Sequence, residues 1–518
     1  MMTITYILAA VVLLGLCIFV HELGHLLGGR MVGIKAKVFS LGYGKGILSK
    51  KVGDTTYQVT LIPFGGYCQF YGEDPSEERD GHDFEFLSAA PWRRIVTVLM
   101  GPLFNLFFGV LLFFMMNLVG YTKDTNRIVI PDQMQSGKYV SAAYSAGIRD
   151  GDTVVDINGK KVNGFSDIQT GVFFSEGKKL DITVIRDGRR ISYSVTPRDY
   201  DGSGRYTIGV VPYGNRILVA GLLKGEAAEE AGIRELDEIR SVDGRRFNNP
   251  AEFTDYIKGK AGEQVSLEIL RAEEEISINA VPKLNEVVVL YAEGAGKDRE
   301  TALFDKRTIE KYTAKNRMLL NGVPYSSYRD FVTVLKGFSG RTVEIEAGGK
   351  KYSGRAAIDR RGFLGLYPAT APDKVICRYN VPDAFVRALI EPYEFIALNV
   401  RGIGMLFTGK LSVRENLSGP IRIAKIAGDV AYYRGISAFI ILMAKISIIL
   451  MVMNLLPIPA VDGSHLVFYL IEIIRGKPIN EKVMERIQTF GVIFLIILGV
   501  FIIINDISML PVIQRLFQ

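Results

Sequence analysis

The sequence predicts a multi-pass α-helical membrane protein with four transmembrane helices and a series of small repeated α+β domains. Three observations indicate this fold class: four long apolar blocks, an internal repeat between the second and third blocks, and polar motifs at the edges of two blocks. A chain of 518 residues is too long for one hydrophobic core, so several domains are expected.

Each of the four apolar blocks is about long enough to cross a bilayer core of roughly 30 Å as a helix. Residues 1–20, 95–122 and 487–505 contain no charged side chain, and residues 436–460 contain only Lys445. The first block lacks the basic start and the small-residue cleavage site of a signal peptide. The predicted transmembrane segments are 1–30, 95–122, 436–472 and 487–505.

The distribution of Lys and Arg predicts the orientation of these helices, because basic residues favour the cytoplasmic side. Two short connections are rich in such residues. They are Arg30, Lys35, Lys37, Lys45, Lys50, Lys51, Arg79, Arg93 and Arg94 in the first and Arg475, Lys477, Lys482 and Arg486 in the second. Both termini and the repeated region are therefore expected outside the cytoplasm. The net charge of +7 follows from this juxtamembrane excess, and no arginine–aromatic interleaving indicates a nucleic-acid partner.

The repeated region shows clear similarity between two stretches, "SAGIRDGDTVVDINGKKV" (145–162) and "EAGIRELDEIRSVDGRRF" (230–247). A weaker third copy follows at "NRMLLNGVPYSSYRDFVTVL" (316–335). Each copy contains an Asn-Gly or Asp-Gly pair, which is typical of tight turns that need positive φ. The signature residues are Gly147, Asp152, Asn158 and Gly159 in copy one and Gly232, Asp237, Asp243 and Gly244 in copy two.

This signature resembles that of PDZ domains, and it predicts PDZ domains over 123–200 and 201–284. The third copy, 285–370, lacks the upstream part of the signature and is only PDZ-like. PDZ domains usually bind a peptide or protein ligand as an added strand at a sheet edge. Two roles remain open: specific capture of such ligands, or service as a spacer or size filter.

The motif "HELGH" at the end of the first apolar block predicts a metal site. In a helix, His21 and His25 share one face and can bind one metal ion, with Glu22 beside them as a possible base. The alternative is that these polar groups only reach towards the membrane interface. Three such groups in this spacing make the alternative weak.

A zinc site needs a third protein ligand, and the segment "MNLLPIPAVDGSHLVFYL" (453–470) provides the best candidate. Asp462 is the only carboxylate there, and Pro457 and Pro459 are expected to break the helix before it. Irregular backbone at membrane depth occurs only where it is buried in protein or lines a wet cavity. Because the first and third helices run in the same direction, both motifs should lie at one depth near the cytoplasmic side.

Taken together, HELGH, "GPLFN" (101–105), the PDZ-like repeats and "NLLPIPAVDG" (454–463) resemble the site-2 proteases, the intramembrane zinc metalloproteases of peptidase family M50. The resemblance covers nearly the whole chain. It implies one zinc ion per chain, bound by His21, His25 and Asp462, with Glu22 as general base. It also implies that Asn454, with Pro457 and Pro459, positions the substrate.

The resemblance further implies a membrane-associated β segment on the cytoplasmic side within 31–94, because "FSLGYG…TTYQVTLIPFGGY" (39–67) is similar to the family's β-hairpin. It implies a bacterial inner-membrane enzyme that cleaves single-span membrane proteins in the lipid bilayer, such as anti-sigma factors or signal-peptide remnants. The repeats would then restrict substrate entry. Two departures from the family are Val461 before Asp462 and the third repeat.

Two other functions are compatible with parts of the sequence. One is a membrane scaffold with an inactive protease core, against which the four intact residues His21, Glu22, His25 and Asp462 argue. The other is a membrane zincin that acts on soluble or prenylated peptides. Such enzymes usually take a Glu or His as third ligand, so an aspartate in a Pro-Gly-rich break argues against it.

Three further features have no assigned part in this chemistry. His465 is expected to support the ligands or to pack, since two histidines and one carboxylate complete the usual set. Lys445 can face either the lipid or the protein interior. Charges at Arg387, Glu391, Glu394 and Arg401 interrupt every possible span, so 381–434 is expected to form amphipathic helices at the outer membrane surface.

Overall fold

The structure is a computed structural model of the chain. It describes residues 2–74, 79–131, 134–135, 140–200, 204–214, 216–247, 250–271, 274–291, 300–304, 306–313, 318–411 and 419–508. The chain forms two compact units, Met1–Val211 with Lys374–Gln518, and Pro212–Asp373. Four described helical segments are long and apolar enough to cross a membrane, in the places that the sequence predicts. They are Ile4–Met31, Pro91–Val119, Gly435–Leu455 and Lys482–Ile507.

The first part of the chain contains two long helices with a β-sheet between them. Its elements are α1 (Met2–Met31), β1 (Ala36–Val52), β2 (Thr55–Phe70) and α2 (Pro91–Val119). Residues 38–41 of β1 pair with both 66–69 and 56–59 of β2, so two bent strands form a sheet of four segments. Gly42, with a φ of +91°, lies at the bend of β1. The 66–70 segment is an edge of this sheet, next to α1.

Repeat 1 (residues 121–210) has its own hydrophobic core. Its elements are β3 (Tyr121–Asp124), β4 (Ile128–Val129), α3 (Ala142–Ala146), β5 (Thr153–Ile157), β6 (Lys160–Lys161), α4 (Phe165–Phe173), β7 (Leu180–Arg186), β8 (Arg189–Val195), β9 (Arg198–Asp199) and β10 (Tyr206–Thr207). The main sheet has the order β6-β5-β7-β8. Alternate residues of β7, including Ile182 and Val184, are fully buried, as the period of a half-buried strand requires.

The second unit contains two sheets. Its first elements after β11 (Val211–Pro212), a strand at the boundary between the units along the chain, are β12 (Arg216–Leu222), α5 (Ala227–Glu230), β13 (Glu238–Val242), α6 (Pro250–Lys258), β14 (Val265–Arg271) and β15 (Glu274–Ala280). There follow β16 (Lys283–Tyr291), β17 (Glu300–Phe304), α7 (Lys306–Thr313), β18 (Met318–Leu320), β19 (Val323–Pro324), α8 (Tyr328–Lys336), β20 (Thr342–Ala347), β21 (Lys350–Phe363) and β22 (Leu366–Ala371). The sheet orders are β15-β14-β13-β12-β22 and β17-β16-β21-β20-β18-β19.

The third repeat is inserted into repeat 2. Strand β22 pairs with β12, and Leu364 and Leu366 are buried in the core of repeat 2. The equivalent contact in repeat 1 is formed without an insertion: the Ala143 amide donates to Ile208, as the Ala228 amide donates to Leu364. The ranges 201–284 and 285–370 therefore need correction, because 366–371 completes the sheet of repeat 2. A linear division of the sequence cannot assign a strand that returns after an insertion.

All three repeats share one turn. Asn158, Asp243 and Asn321 each adopt a positive φ, of 52°, 51° and 49°, and a glycine follows each one. The side-chain oxygen of each accepts a hydrogen bond of 2.8 Å from a backbone amide 23 residues later. Asn and Asp tolerate left-handed backbone and bond locally to the main chain. The weak third copy in the sequence is thus a structural repeat.

Repeats 1 and 2 also share a buried ion pair. Asp152 and Asp237 are each 1% exposed, and each carboxylate accepts two hydrogen bonds from an arginine, Arg186 and Arg271 respectively. In repeat 1 the bidentate pair joins the start of β5 to the end of β7, and in repeat 2 it joins the start of β13 to the end of β14. These signature aspartates are therefore structural within the repeats.

The last part of the chain carries the remaining helices. Its elements are β23 (Lys374–Cys377), α9 (Val381–Phe407), α10 (Pro420–Asp429), a short π-helix (Val430–Arg434), α11 (Gly435–Leu455), α12 (Asp462–Arg475) and α13 (Glu481–Ser508). Strand β23 pairs with β3. Helix α9 buries the small side chains of Ala384 and Ala388 and exposes the large apolar side chains of Phe385 and Leu389. Glu391 on its inner face accepts a 3.0 Å hydrogen bond from the Tyr121 hydroxyl.

The third apolar block does not form one continuous helix. Helix α11 ends at Leu455, residues 456–461 are irregular, and α12 begins at Asp462. Pro457 and Pro459 lie in the irregular segment, where the sequence predicts a break. The 436–472 segment is therefore two helices, and the aspartate is in the first turn of the second one.

We expect Asp237→Ala to destabilise repeat 2 by about 3 kcal/mol, because it leaves the Arg271 guanidinium without its buried partner. Repeat 1 retains its own pair and should be unaffected. Pulse proteolysis of the full chain, with cleavage sites assigned by mass spectrometry, measures the two repeats separately. Asp255→Ala is the matched control, because this carboxylate is 71% exposed and pairs only with Lys258 on the surface. Equal protease resistance of the two variants would contradict the structural role of Asp237.

Candidate metal centre

The two histidines of the first helix lie one turn apart and face the same direction. His21 and His25 are 8% and 9% exposed, and their ring centroids are 4.6 Å apart. The i, i+4 spacing of an α-helix produces this arrangement. Asp462 approaches from the start of α12, where the irregular segment turns its carboxylate towards α1.

Three potential metal ligands converge at this point. The distances from Asp462 Oδ2 to Nε2 of His21 and His25 are 3.1 and 3.5 Å, and the two Nε2 atoms are 3.1 Å apart. All the donor atoms lie within 4.8 Å of one another. Among the described residues, this is the one group of His, Cys, Asp or Glu side chains that meets this criterion.

The chemistry of these donor atoms fits a zinc ion. Asp462 Oδ2 is buried and accepts no well-oriented hydrogen bond from the described residues. His25 Nδ1 lies 3.0 Å from the Thr97 carbonyl oxygen, so Nδ1 carries the proton and Nε2 is free to bind a cation. Two neutral imidazoles and one carboxylate are a usual zinc ligand set, with a fourth position for water or substrate.

Neighbouring helices hold His21 from two sides. The Asn105 amide of α2 lies 3.4 Å from His21 Nδ1, and the Ser447 hydroxyl of α11 donates a 2.8 Å hydrogen bond to the Asn105 carbonyl. Asn454 Nδ2, also from α11, lies 3.1 Å from His21 Nε2. Asn105 and Ser447 are fully buried. The site is therefore built by α1, α2 and α11 together with α12.

Glycines allow the helices to approach this closely. A Cβ atom on Gly101 would lie 2.3 Å from the His25 ring, and one on Gly24 would lie 2.3 Å from the Met100 carbonyl oxygen. A Cβ atom on Gly463 would lie 2.1 Å from the Leu456 carbonyl oxygen. Small residues at membrane helix interfaces permit such backbone contacts. The ligands thus depend on glycines on three different elements.

Glu22 lies next to the β-sheet. A Cβ atom on Gly66 of β2 would lie 3.4 Å from Glu22 Cγ. Gly66 is in the 66–70 segment, the edge of the four-segment sheet. A possible base and a sheet edge therefore lie side by side near the metal ligands.

The structure brings most of the expected site residues together. His21, His25, Asp462 and Asn454 meet, whereas Pro457 and Pro459 only shape the break before Asp462. The signature residues of the repeats lie in turns and ion pairs within the repeats. They are Gly147, Asp152, Asn158 and Gly159 in repeat 1 and Gly232, Asp237, Asp243 and Gly244 in repeat 2.

The remaining polar groups also have defined neighbours. His465 Nε2 lies 3.2 Å from the Gln488 amide of α13, and His465 Nδ1 lies 3.5 Å from the Tyr469 hydroxyl. Lys445 Nζ lies 5.7 Å from the centre of the Phe395 ring of α9, a cation–π geometry. His465 is thus oriented towards α13, whereas Lys445 is exposed and places its ammonium against the Phe395 ring.

The sequence reasoning assigned no role to Thr97, Ser447 or Gln488. Thr97 acts through its backbone carbonyl, which no side-chain pattern can reveal. Gln488 could have been noticed in the sequence, because a polar amide near the end of an apolar helix needs a hydrogen-bonding partner.

We expect Gly101→Ala to weaken metal binding by about tenfold or more, because the new methyl group displaces the His25 ring. Metal content of the purified full-length protein, measured by atomic emission after mild chelation, tests this. Gly499→Ala on α13 is the matched control, since a Cβ atom there meets no neighbour within 4 Å. Wild-type metal retention in Gly101→Ala would refute the packing argument.

Comparison with known proteins identifies the family. The model of peptidase family M50 matches residues 9–498. A relative from Treponema pallidum (strain Nichols), which carries the provisional name of zinc metalloprotease, is 27% identical over 97% of this chain and 99% of its own. The regulator of sigma-E protease RseP of Escherichia coli (strain K12) is 26% identical over 96% of this chain and 98% of its own. The chain therefore belongs to peptidase family M50 and is a zinc metalloendopeptidase of the membrane.

Proposed function

We propose that this zinc metalloendopeptidase cleaves single-span membrane proteins within the bilayer, with His21, His25 and Asp462 as zinc ligands and Glu22 as general base. The observation that carries the proposal is the position of the ligand cluster. His21 and His25 lie on α1, and Asp462 follows the break at the end of α11. Both α1 and α11 are long and apolar enough to cross a membrane. A peptide bond that reaches these ligands must come from a segment at membrane depth.

The chain's own residues supply most of the proposed chemistry. His21, His25 and Asp462 would hold a zinc ion, and its Lewis acidity would polarise the scissile carbonyl and make a water molecule more acidic. Glu22 accepts the proton of the attacking water and then donates it to the nitrogen of the leaving amine. The Asn454 amide, 3.1 Å from His21 Nε2, is placed to donate a hydrogen bond to the carbonyl oxygen as negative charge develops there.

The substrate must be extended at the site, because a helix holds its carbonyl groups in internal hydrogen bonds. The extended substrate segment could be held at the 66–70 edge of the β-sheet. An added strand forms main-chain hydrogen bonds and needs little sequence specificity. Since Gly66 lies against Glu22, a strand added at this edge would pass close to the base.

We infer that repeats 1 and 2 are PDZ domains and that they restrict access to the protease. Three shared features support this assignment: the Asx-Gly turns, the buried Asp–Arg pairs, and the equivalent backbone hydrogen bonds from Ala143 to Ile208 and from Ala228 to Leu364. The third repeat shares the turn but not the ion pair, since no aspartate precedes it in the signature position. Capture of peptide ligands and exclusion of large extracytoplasmic domains are both compatible with these features.

The proposed orientation places both termini and the repeats outside the cytoplasm, in a bacterial inner membrane. The Lys and Arg distribution supports it. The E. coli relative is named as a regulator of sigma-E protease, which makes an anti-sigma factor or a comparable single-span protein the first substrate class to test. The two alternative functions that the same cleavage assay tests are an inactive scaffold and a protease of soluble or prenylated peptides.

We expect Glu22→Gln to slow cleavage by about 10²–10⁴-fold while zinc content stays unchanged, because it removes only the base. Asp462→Asn should lose both activity and zinc. The assay is cleavage of a model single-span protein by the purified enzyme in liposomes, with a soluble peptide of the same sequence as comparison. Glu485→Gln, an exposed carboxylate on α13, is the control. Undiminished cleavage by Glu22→Gln would rule out the proposed mechanism.

A second expectation concerns the substrate. Two glycines next to the scissile bond should raise the cleavage rate severalfold relative to two alanines, because each glycine weakens a helix by roughly 1 kcal/mol. Initial rates for the matched pair of liposome substrates measure the effect. Equal rates for the pair would argue against binding of an extended segment.

A further inference from the structure

A glutamine of the fourth membrane helix forms hydrogen bonds on both sides of Asp462. Gln488 Oε1 accepts a 2.8 Å hydrogen bond from the Ala460 amide, two residues before the aspartate. Its Nε2 donates a 3.1 Å hydrogen bond to the Ser464 hydroxyl, two residues after the aspartate. The Ser464 hydroxyl in turn donates to the Val461 carbonyl at 2.8 Å. One amide thus holds both flanks of Asp462.

The backbone that Gln488 holds is strained. Ala460 has a φ of +76°, a left-handed conformation that costs free energy in a residue with a Cβ atom. Such a conformation persists only where surrounding contacts impose it. The hydrogen bond from the Ala460 amide to Gln488 is such a contact. It also satisfies a backbone donor that the break between the two helices leaves without an intrahelical partner.

The packing around this contact is equally close. Gly491 follows Gln488 by one helical turn, on the same face of α13, and a Cβ atom there would lie 2.3 Å from Pro459. Pro459 and Ala460 are therefore held by adjacent positions of α13. At the other end of this helix, Asp506 accepts hydrogen bonds of 3.1 Å from the Gly419 and Arg422 amides at the start of α10.

We infer that Gln488 is a positioning residue that fixes the Asp462 carboxylate for zinc binding. It touches neither the ligands nor the reacting atoms, and it acts through Ala460 and Ser464. The inference rests on the proposed role of Asp462 as a zinc ligand. It assigns α13 a part in the metal centre, to which this helix contributes no ligand.

The test is zinc retention by the full-length protein in detergent. Gln488→Met keeps the side-chain length and removes both hydrogen bonds. We expect zinc to be lost to a chelator about tenfold faster or more than from wild type. Thr489→Val, an exposed neighbour on the same helix, should retain zinc as wild type does. The melting temperature of the metal-free protein should be similar for all three.

A rescue experiment separates positioning from general loosening. Glycine adopts a φ of +76° without strain, so Ala460→Gly added to Gln488→Met should restore part of the zinc retention. Asp506→Asn, which loosens the other end of α13, should not affect it. If Gln488→Met unfolds, Gln488→Leu replaces it, since it also removes both hydrogen bonds, and the same ordering is expected.

The outcomes are distinguishable. Wild-type zinc retention in Gln488→Met, or equal loss in Asp506→Asn, overturns the role of Gln488 and leaves the proposed ligands intact. Wild-type zinc retention in Asp462→Asn overturns the ligand assignment and this inference with it.

Discussion

The meeting of one carboxylate and two imidazoles inside the membrane part of the chain is the constraint on which the rest of the structure depends. Polar groups at this depth lack bulk water, so each must find a partner in the protein or in a bound ion. His25 finds the Thr97 carbonyl, and His21 lies beside Asn105 and Asn454. The glycines at the helix contacts follow from the same demand, because only close backbones place these partners within hydrogen-bonding distance.

The local part of this site could be predicted from the sequence, since an i, i+4 pair of histidines shares a helix face by geometry alone. The position of Asp462 could be predicted as well, because the prolines predict the helix break before it and the first and third apolar blocks place both motifs at one membrane depth. The resemblance to a protease family added the zinc ion and the base. The contacts that hold these side chains were harder to predict. Thr97 contributes a backbone atom, which no side-chain pattern reveals. Gln488 stands out as a polar amide in an apolar helix, but the sequence does not show which segment it contacts.

The repeats show a different limit. Their Asx-Gly turns could be read from similarity between copies, and the structure contains the same turn three times, with nearly equal φ values. The boundary of the third copy could not be read in this way. Its sequence is followed directly by Leu366–Ala371, a strand that pairs with β12 in repeat 2. Sequence similarity locates a repeated motif, but strand pairing decides to which sheet a distant segment belongs.

That inserted third repeat has a consequence for the order in which the chain folds. Strand β12 cannot pair with β22 until every residue between them has been synthesised. The sheet of repeat 2 therefore has an open edge, whereas the sheet of the third repeat is formed by its own strands alone and can form first. Pairing across such a long sequence separation is slow, and unpaired edges are prone to wrong associations. We therefore expect repeat 2 to be the part of the second unit that completes its sheet last.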